Sequence, residues 1–152
     1  MPITKGFQAL VDEAMEEVKT YSVESVRARL NDPKVQIVDI RDARELEREG
    51  TVVGAFHAPR GMLEFWVDPE SPYHKPVFHQ PGKRYVLFCA GGWRSALSAQ
   101  TLQDMGLPDV GHVWRFRGLE GGRRRSGAAA RQGCQARVNL RCGGGPDKLI
   151  AK

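Results

Sequence analysis

The chain has 152 residues, enough for one domain with a sizeable core, and no run approaches the roughly 18 apolar residues that a membrane-spanning helix needs. Met1 to Gly6 lacks the apolar stretch of a signal peptide, and three cysteines, Cys89, Cys134 and Cys142, cannot all pair and match no metal spacing; free thiols in the cytoplasm are the expectation. The net charge of +5 is uneven, because residues 114–152 hold ten Lys/Arg against two Asp/Glu, leaving thirteen against sixteen in residues 1–113.

Phe7, Leu10, Val11, Ala14, Met15 and Val18 recur at helical spacing with acids on the other face. This predicts a packing helix within an N-terminal segment, residues 1–20. Tyr21 and its neighbours predict a short edge strand, Ser22 is the expected N-cap of a helix reaching Leu30, and Asn31-Asp32-Pro33 ends it. Val35 to Ile40 is nearly continuously apolar, the pattern of a central parallel strand buried on both faces. Asp39, at the end of that strand, must then be paired or hydrogen-bonded. Asp42 and Glu45 have the spacing of a capping box, in which each side chain reaches a free amide of the first helical turn.

Further along, Gly50 and Gly54 bracket a turn, Phe56 to Pro59 predicts a strand, and Arg60 to Trp66 a short helix or turn. Arg60 and Glu64, one helical turn apart, are spaced for an exposed ion pair. Val67 to Pro76 is a proline-rich loop suited to form one wall of a site entrance. His74 and His79 read as surface residues, since no second cluster completes a metal site.

The central stretch is Tyr85-Val86-Leu87-Phe88-Cys89-Ala90-Gly91-Gly92-Trp93-Arg94-Ser95. A short apolar strand ends in a cysteine, and a Gly-Gly turn opens a helix that runs from Arg94 until Gly106 stops it. Open α/β sheets bind ligands at this position, where backbone amides and the helix dipole converge on an anion. A thiol placed there is expected to ionise readily, and the thiolate is the nucleophilic form. A buried cysteine that merely fills a strand end needs neither the glycines, which let amides point inward as a nest, nor a fixed arginine fork. Leu107 to Val113 reads as a turn and a final strand.

The Cys89 to Ser95 loop resembles the active-site loop of the rhodanese-like sulfurtransferases, with four residues between Cys and Arg. The resemblance extends through Gln36 to Glu45, Gly54-Ala55, Pro59 to Phe65 and Leu102 to Gly106, and covers roughly residues 20–113. It implies an α/β, three-layer fold with a mainly parallel central sheet flanked by helices, with residues 21–113 as the domain. It further implies that Cys89 attacks the outer sulfur of a donor such as thiosulfate and carries it as a persulfide to cyanide or a thiol. The amides of Ala90, Gly91, Gly92, Trp93, Arg94 and Ser95 would hold that anion, with no metal or organic cofactor. Asp39 and Arg41 are implied as structural neighbours of the site. Arg60 is a candidate for binding an anionic donor at the rim, and Trp93 either shapes the mouth or packs on the following helix. One departure stands out: Thr51 and Val53 occupy the places of the family's His and Pro between the two glycines. Phosphatases and arsenate reductases use similar cysteine and arginine logic but commonly have five intervening residues, and the shorter ring favours sulfur. A non-catalytic persulfide carrier serving a protein acceptor uses the same loop.

From Trp114 onward apolar periodicity stops, and after Phe116 there is no aromatic residue. The Gly/Arg/Ala-rich composition of residues 114–152 predicts disorder. The resemblance instead expects a Gly-Gly-Phe turn and a closing helix here. One codon choice for Trp114 to Glu120, read one base later, gives Gly-Gly-Phe-Gly-Ala-Trp-Lys; Gln132 to Asn139 similarly permits Lys-Ala-Ala-Lys-Pro-Val and a stop. The tail is therefore expected to be a shifted reading frame, which the coding DNA would test. The rival is a basic arm for nucleic acid, weakened by the lack of interleaved aromatics.

Overall fold

The fold is given by a computed structural model that describes residues 2–114. The expectations for the tail, including the shifted frame, Cys134 and Cys142, lie outside the described residues.

Ten helices and strands follow in chain order: α1 (Phe7–Glu17), β1 (Lys19–Tyr21), α2 (Val23–Arg27), β2 (Val35–Asp39), α3 (Ala43–Glu49), β3 (Phe56–His57), α4 (Leu63–Val67), β4 (Arg84–Phe88), α5 (Trp93–Asp104) and β5 (Val110–Val113). Single 3-10 turns occupy Arg60–Met62 and Pro76–Phe78. The local signals act as the sequence predicts at both capped helices. Ser22 Oγ accepts from Ser25 N, and Asp42 and Glu45 form a complete capping box on α3. The second helix is shorter than expected, ending at Arg27, and the third strand has only two residues.

The five strands form one sheet in the order β1-β5-β4-β2-β3, every neighbouring pair parallel. Alternation along the strands sorts side chains between two faces. From β2, Val38 enters one core cluster and Ile37 the other; from β4, Tyr85 and Leu87 go to the first, Val86 and Phe88 to the second. The first cluster also takes Leu63 and Val67 of α4 with Ala99 and Leu102 of α5, and the second takes Val26 of α2. These are the two faces of a three-layer α/β domain, with the apolar strands β2 and β4 at its centre.

Gly111 of β5 lets the edge strand approach closely. A Cβ there would stand 2.6 Å from Lys19 O and 2.6 Å from Tyr21 Cε2. Helix α1 packs along α5 through Val11 and Ala14, but Phe7 and Leu10 of the same stripe are exposed. Phe7 instead lies against Trp93, with ring centroids 5.2 Å apart. Arg60 and Glu64 form no ion pair among the described residues, because Arg60 belongs to a 3-10 turn rather than to α4. No helix among the described residues is long and apolar enough to cross a membrane.

Candidate active site

Strand β4 ends at Phe88, whose carbonyl accepts the Ile40 amide at 3.1 Å, and the next residue is Cys89 at the carboxyl edge of the sheet. The Cys89 side chain is almost fully buried. Its sulfur receives the Gly92 N–H at 3.1 Å and lies 3.6 Å from Ser95 Oγ, which in turn donates to the Gly92 carbonyl at 2.9 Å. The amide can aim inward because Gly92, the N-cap of α5, has φ 96°, in the left-handed region that glycine tolerates best. A Cβ at this position would also sit 2.6 Å from Trp114 Cε3. Gly91 is different: it has no positive φ and nothing near where a Cβ would go.

Arg94, in the first turn of α5, does not stand free over the loop. Its Nη1 and Nη2 donate to Glu45 Oε2 and Oε1 at 2.7 and 2.8 Å. The same Glu45 Oε2 accepts the Asp42 amide at 3.1 Å, so one carboxylate caps α3 and orients the loop arginine. The Arg94 hydrogen bonds are the main reason that the Glu45 carboxyl is pushed down to about 2. Conversely, hydrogen bonding to Glu45 raises the Arg94 pKa, assisted by attraction to the Cys89 sulfur and opposed by burial. This cation is therefore fixed in charge and direction beside the thiol.

Asp39 and Arg41 form a buried pair under the neighbouring loop. Asp39 accepts from Arg41 N, Nε and Nη2 at 3.1, 3.0 and 2.8 Å, and from Thr51 Oγ1 at 2.7 Å. Arg41 Nη2 also donates to Gly50 O at 2.7 Å, and Nη1 to Glu49 at 3.2 Å. Burial opposes the Arg41 charge, but hydrogen bonding and attraction from Asp39 outweigh it and raise the pKa. The hydroxyl of Thr51 thus supplies a donor to Asp39.

Of the candidate residues, the structure brings Cys89, Gly92 and Ser95 into direct contact and sets Arg94 beside them. Trp93 is half-exposed with Phe7, and Ala90 and Gly91 complete the turn. Arg60 is exposed and joins the carboxyl end of β2 through its backbone, Arg60 N to Ile40 O at 3.3 Å. Its guanidinium makes no hydrogen bond or ion pair with the described residues. Sequence reasoning gave Glu45 only its capping role, since its partner lies 49 positions away. It also missed His112 on β5, which is fully buried with Nδ1 3.4 Å from Ser95 Oγ and Nε2 3.0 Å from Thr20 Oγ1. A single histidine in a short apolar strand gives no local signal. Burial pushes its pKa down to about 4.

A buried thiol, one inward amide and a clamped arginine meet at this strand-to-helix turn. The family model described as the rhodanese-like domain matches residues 22–122. The chain belongs to the rhodanese-like family. This rhodanese-like chain is similar to a protein of unknown function from Rhodopseudomonas palustris, described as a possible tyrosine phosphatase: 49% identity, 76% of this chain and 88% of that one, TM-score 0.72. It is also similar to the human single-domain sulfurtransferase, at 22% identity over 68% of this chain and 97% of that one, with TM-score 0.56. A rhodanese-related protein from Thermoplasma volcanium matches at 20% identity over 64% of this chain and 84% of that one, TM-score 0.50. At the last two identities the likeness is one of fold. No protein in the comparison with curated proteins matches this rhodanese-like chain.

Proposed function

We propose that this chain is a sulfurtransferase that moves a sulfane sulfur from a donor such as thiosulfate to cyanide or a thiol through a persulfide on Cys89. The observation that carries this reading is the Gly92 amide aimed at Cys89 Sγ from 3.1 Å inside a turn with only four residues between Cys89 and Arg94. With one residue fewer than the five common in phosphatase loops, the shorter ring favours sulfur over a tetrahedral oxyanion.

In the first half-reaction the Cys89 thiolate attacks the outer sulfur of thiosulfate. The donor S–S bond breaks, its electron pair leaves on sulfite, and Cys89 becomes a persulfide anion. In the second, the acceptor attacks the outer persulfide sulfur, and the pair of the S–S bond returns to Cys89 as thiolate. The amides from Ala90 to Ser95 hold the anion at each stage, and neither step requires a metal or organic cofactor. Arg94 supplies a fixed positive field, and exposed Arg60 recruits the anionic donor at the rim. Trp93 and Phe7 give an apolar platform beside the mouth for a thiol acceptor or an acceptor protein. A reducing compartment such as the cytoplasm suits a free nucleophilic thiol.

Thiosulfate-to-cyanide transfer by the full chain tests the proposal, with intact mass recorded after thiosulfate alone. The expected result is turnover and a gain of one sulfur atom, both absent in Cys89→Ser. A mass gain without turnover would make the chain a persulfide carrier for a protein acceptor. A folded protein that takes up no sulfur but hydrolyses a phosphate monoester would overturn the proposal, and would match the description of its Rhodopseudomonas relative.

A further inference from the structure

Cys89, Ser95, His112 and Thr20 come from four parts of the chain and meet in one line of polar atoms. Thr20 Oγ1 lies 3.0 Å from His112 Nε2, His112 Nδ1 3.4 Å from Ser95 Oγ, and Ser95 Oγ 3.6 Å from Cys89 Sγ. Cys89, Ser95 and His112 are all buried, whereas Thr20 reaches the surface. Three of the four residues of β5 are Val110, Gly111 and Val113, and an apolar fourth would complete that strand. A histidine whose two nitrogens both face hydroxyls is a polar choice at an apolar position. Burial keeps its ring neutral near pH 7, so one nitrogen donates and the other accepts.

The Ser95 proton has two destinations. It now goes to the Gly92 carbonyl at 2.9 Å; when Cys89 is an anion, the sulfur is the better acceptor. A donor that holds the Ser95 oxygen polarises the hydroxyl and strengthens its own donation to sulfur. His112 is placed to supply that donor provided its proton sits on Nδ1, which is the tautomer selected when Thr20 donates to Nε2.

We propose that Thr20 and His112 form a positioning relay that turns the Ser95 hydroxyl towards the anionic sulfur of Cys89. Thr20 O–H donates to His112 Nε2, His112 Nδ1–H donates to Ser95 Oγ, and Ser95 O–H swings from the Gly92 carbonyl to the sulfur. The longer contacts tighten once the charge forms, as catalytic hydrogen bonds do on leaving the resting state. The inference builds on the reading of Cys89 as the nucleophile, but its test does not need sulfur transfer. The charged groups at the sulfur are Arg94 from α5 and, behind it, Glu45 from α3. His112 faces the line from β5, and Thr20 from β1.

The test is the rate of Cys89 alkylation by iodoacetamide in the full chain between pH 6 and pH 10, followed on the Cys89 peptide by mass spectrometry. Losing a hydrogen bond to a charged group shifts an equilibrium by about tenfold. At pH 6, Ser95→Ala and His112→Leu are expected to react about tenfold more slowly than the parent, and Thr20→Val about threefold. His112→Asn, whose amide N–H can replace the Nδ1–H, is expected to recover most of the rate. At pH 10 all four should converge on the parent. The relay is overturned if Thr20→Val and His112→Leu keep the parent profile while Ser95→Ala loses it. It is equally overturned if the variants slow by the same factor at both ends, because that reports access rather than anion stabilisation. Should His112→Leu fail to fold, Thr20→Val decides, since Thr20 is at the surface. A chain that transfers no sulfur yet shows this profile keeps the relay and loses only the proposed reaction.

Discussion

Glu45 and His112 have pKa values displaced in the same direction for opposite reasons, and each leaves a mark on stability. Glu45 is held down to about 2 chiefly by Arg94, against an ordinary 4.5. Its unfolded form binds a proton first as pH falls, so its contribution is complete above pH 4.5 and is lost from there towards pH 2. His112 is held down to about 4 by burial, against 6.5. Here too the unfolded chain takes up the proton first, so stability is full above pH 6.5 and drains away towards pH 4. A displacement of that size corresponds to about 3 kcal/mol at most. Thermal unfolding across pH 7 to 2.5 is therefore expected to show a first decline between 6.5 and 4 that His112→Asn flattens. A second decline below 4.5 should be flattened by Glu45→Gln, which keeps the capping geometry of α3 while removing the titrating group. A first decline that persists unchanged in His112→Asn would place its source elsewhere.

At the scale of the element, the Cys89 turn depends on one glycine far more than on the other. Gly92 has the positive φ, the inward amide and the Trp114 ring where a Cβ would go, while Gly91 has open space. Gly92→Ala is expected to cost roughly 2–4 kcal/mol, combining left-handed strain with a displaced indole, and to slow Cys89 alkylation at neutral pH at least tenfold. Gly91→Ala should stay within about 1 kcal/mol and keep the alkylation rate. Denaturant unfolding and alkylation of the two variants check this contrast, and equal effects would deny the turn its special residue. The sequence showed that a Gly-Gly turn was needed but not which glycine bent, because either glycine tolerates a positive φ, and the ring packed on Gly92 comes from Trp114, 22 positions later. Local patterns sufficed for the capping box of Asp42 and Glu45, the N-cap Ser22 and the buried strands β2 and β4. They failed where tertiary contacts decide: Glu45 reaching Arg94, His112 meeting Ser95 and Thr20, and Phe7 leaving the core to lie on Trp93.

Across the whole molecule, the Asp39 and Arg41 pair joins the end of β2 to the end of α3 and the turn leading into β3. Every oxygen of Asp39 is occupied, by Arg41 three times and by Thr51 once, while Arg41 also holds Gly50 O and Glu49. Phe88, the last residue of β4 before Cys89, lies under the Arg41 guanidinium at 5.6 Å, so the network also touches the strand that leads into Cys89. Removing one partner of a buried ion pair costs about 3–5 kcal/mol, since the other charge is left in the interior. A domain of this size has only about 5–15 kcal/mol in total. Asp39→Asn is thus expected to bring urea unfolding close to physiological conditions, and Thr51→Val, which removes a single bond to the carboxylate, to cost about 1–2 kcal/mol. Both variants should retain the parent's Cys89 alkylation rate in whatever fraction stays folded, because neither residue contacts the sulfur. The opposite pattern, parental stability with a lost thiolate reaction in Asp39→Asn, would move Asp39 from the frame of the site into its chemistry.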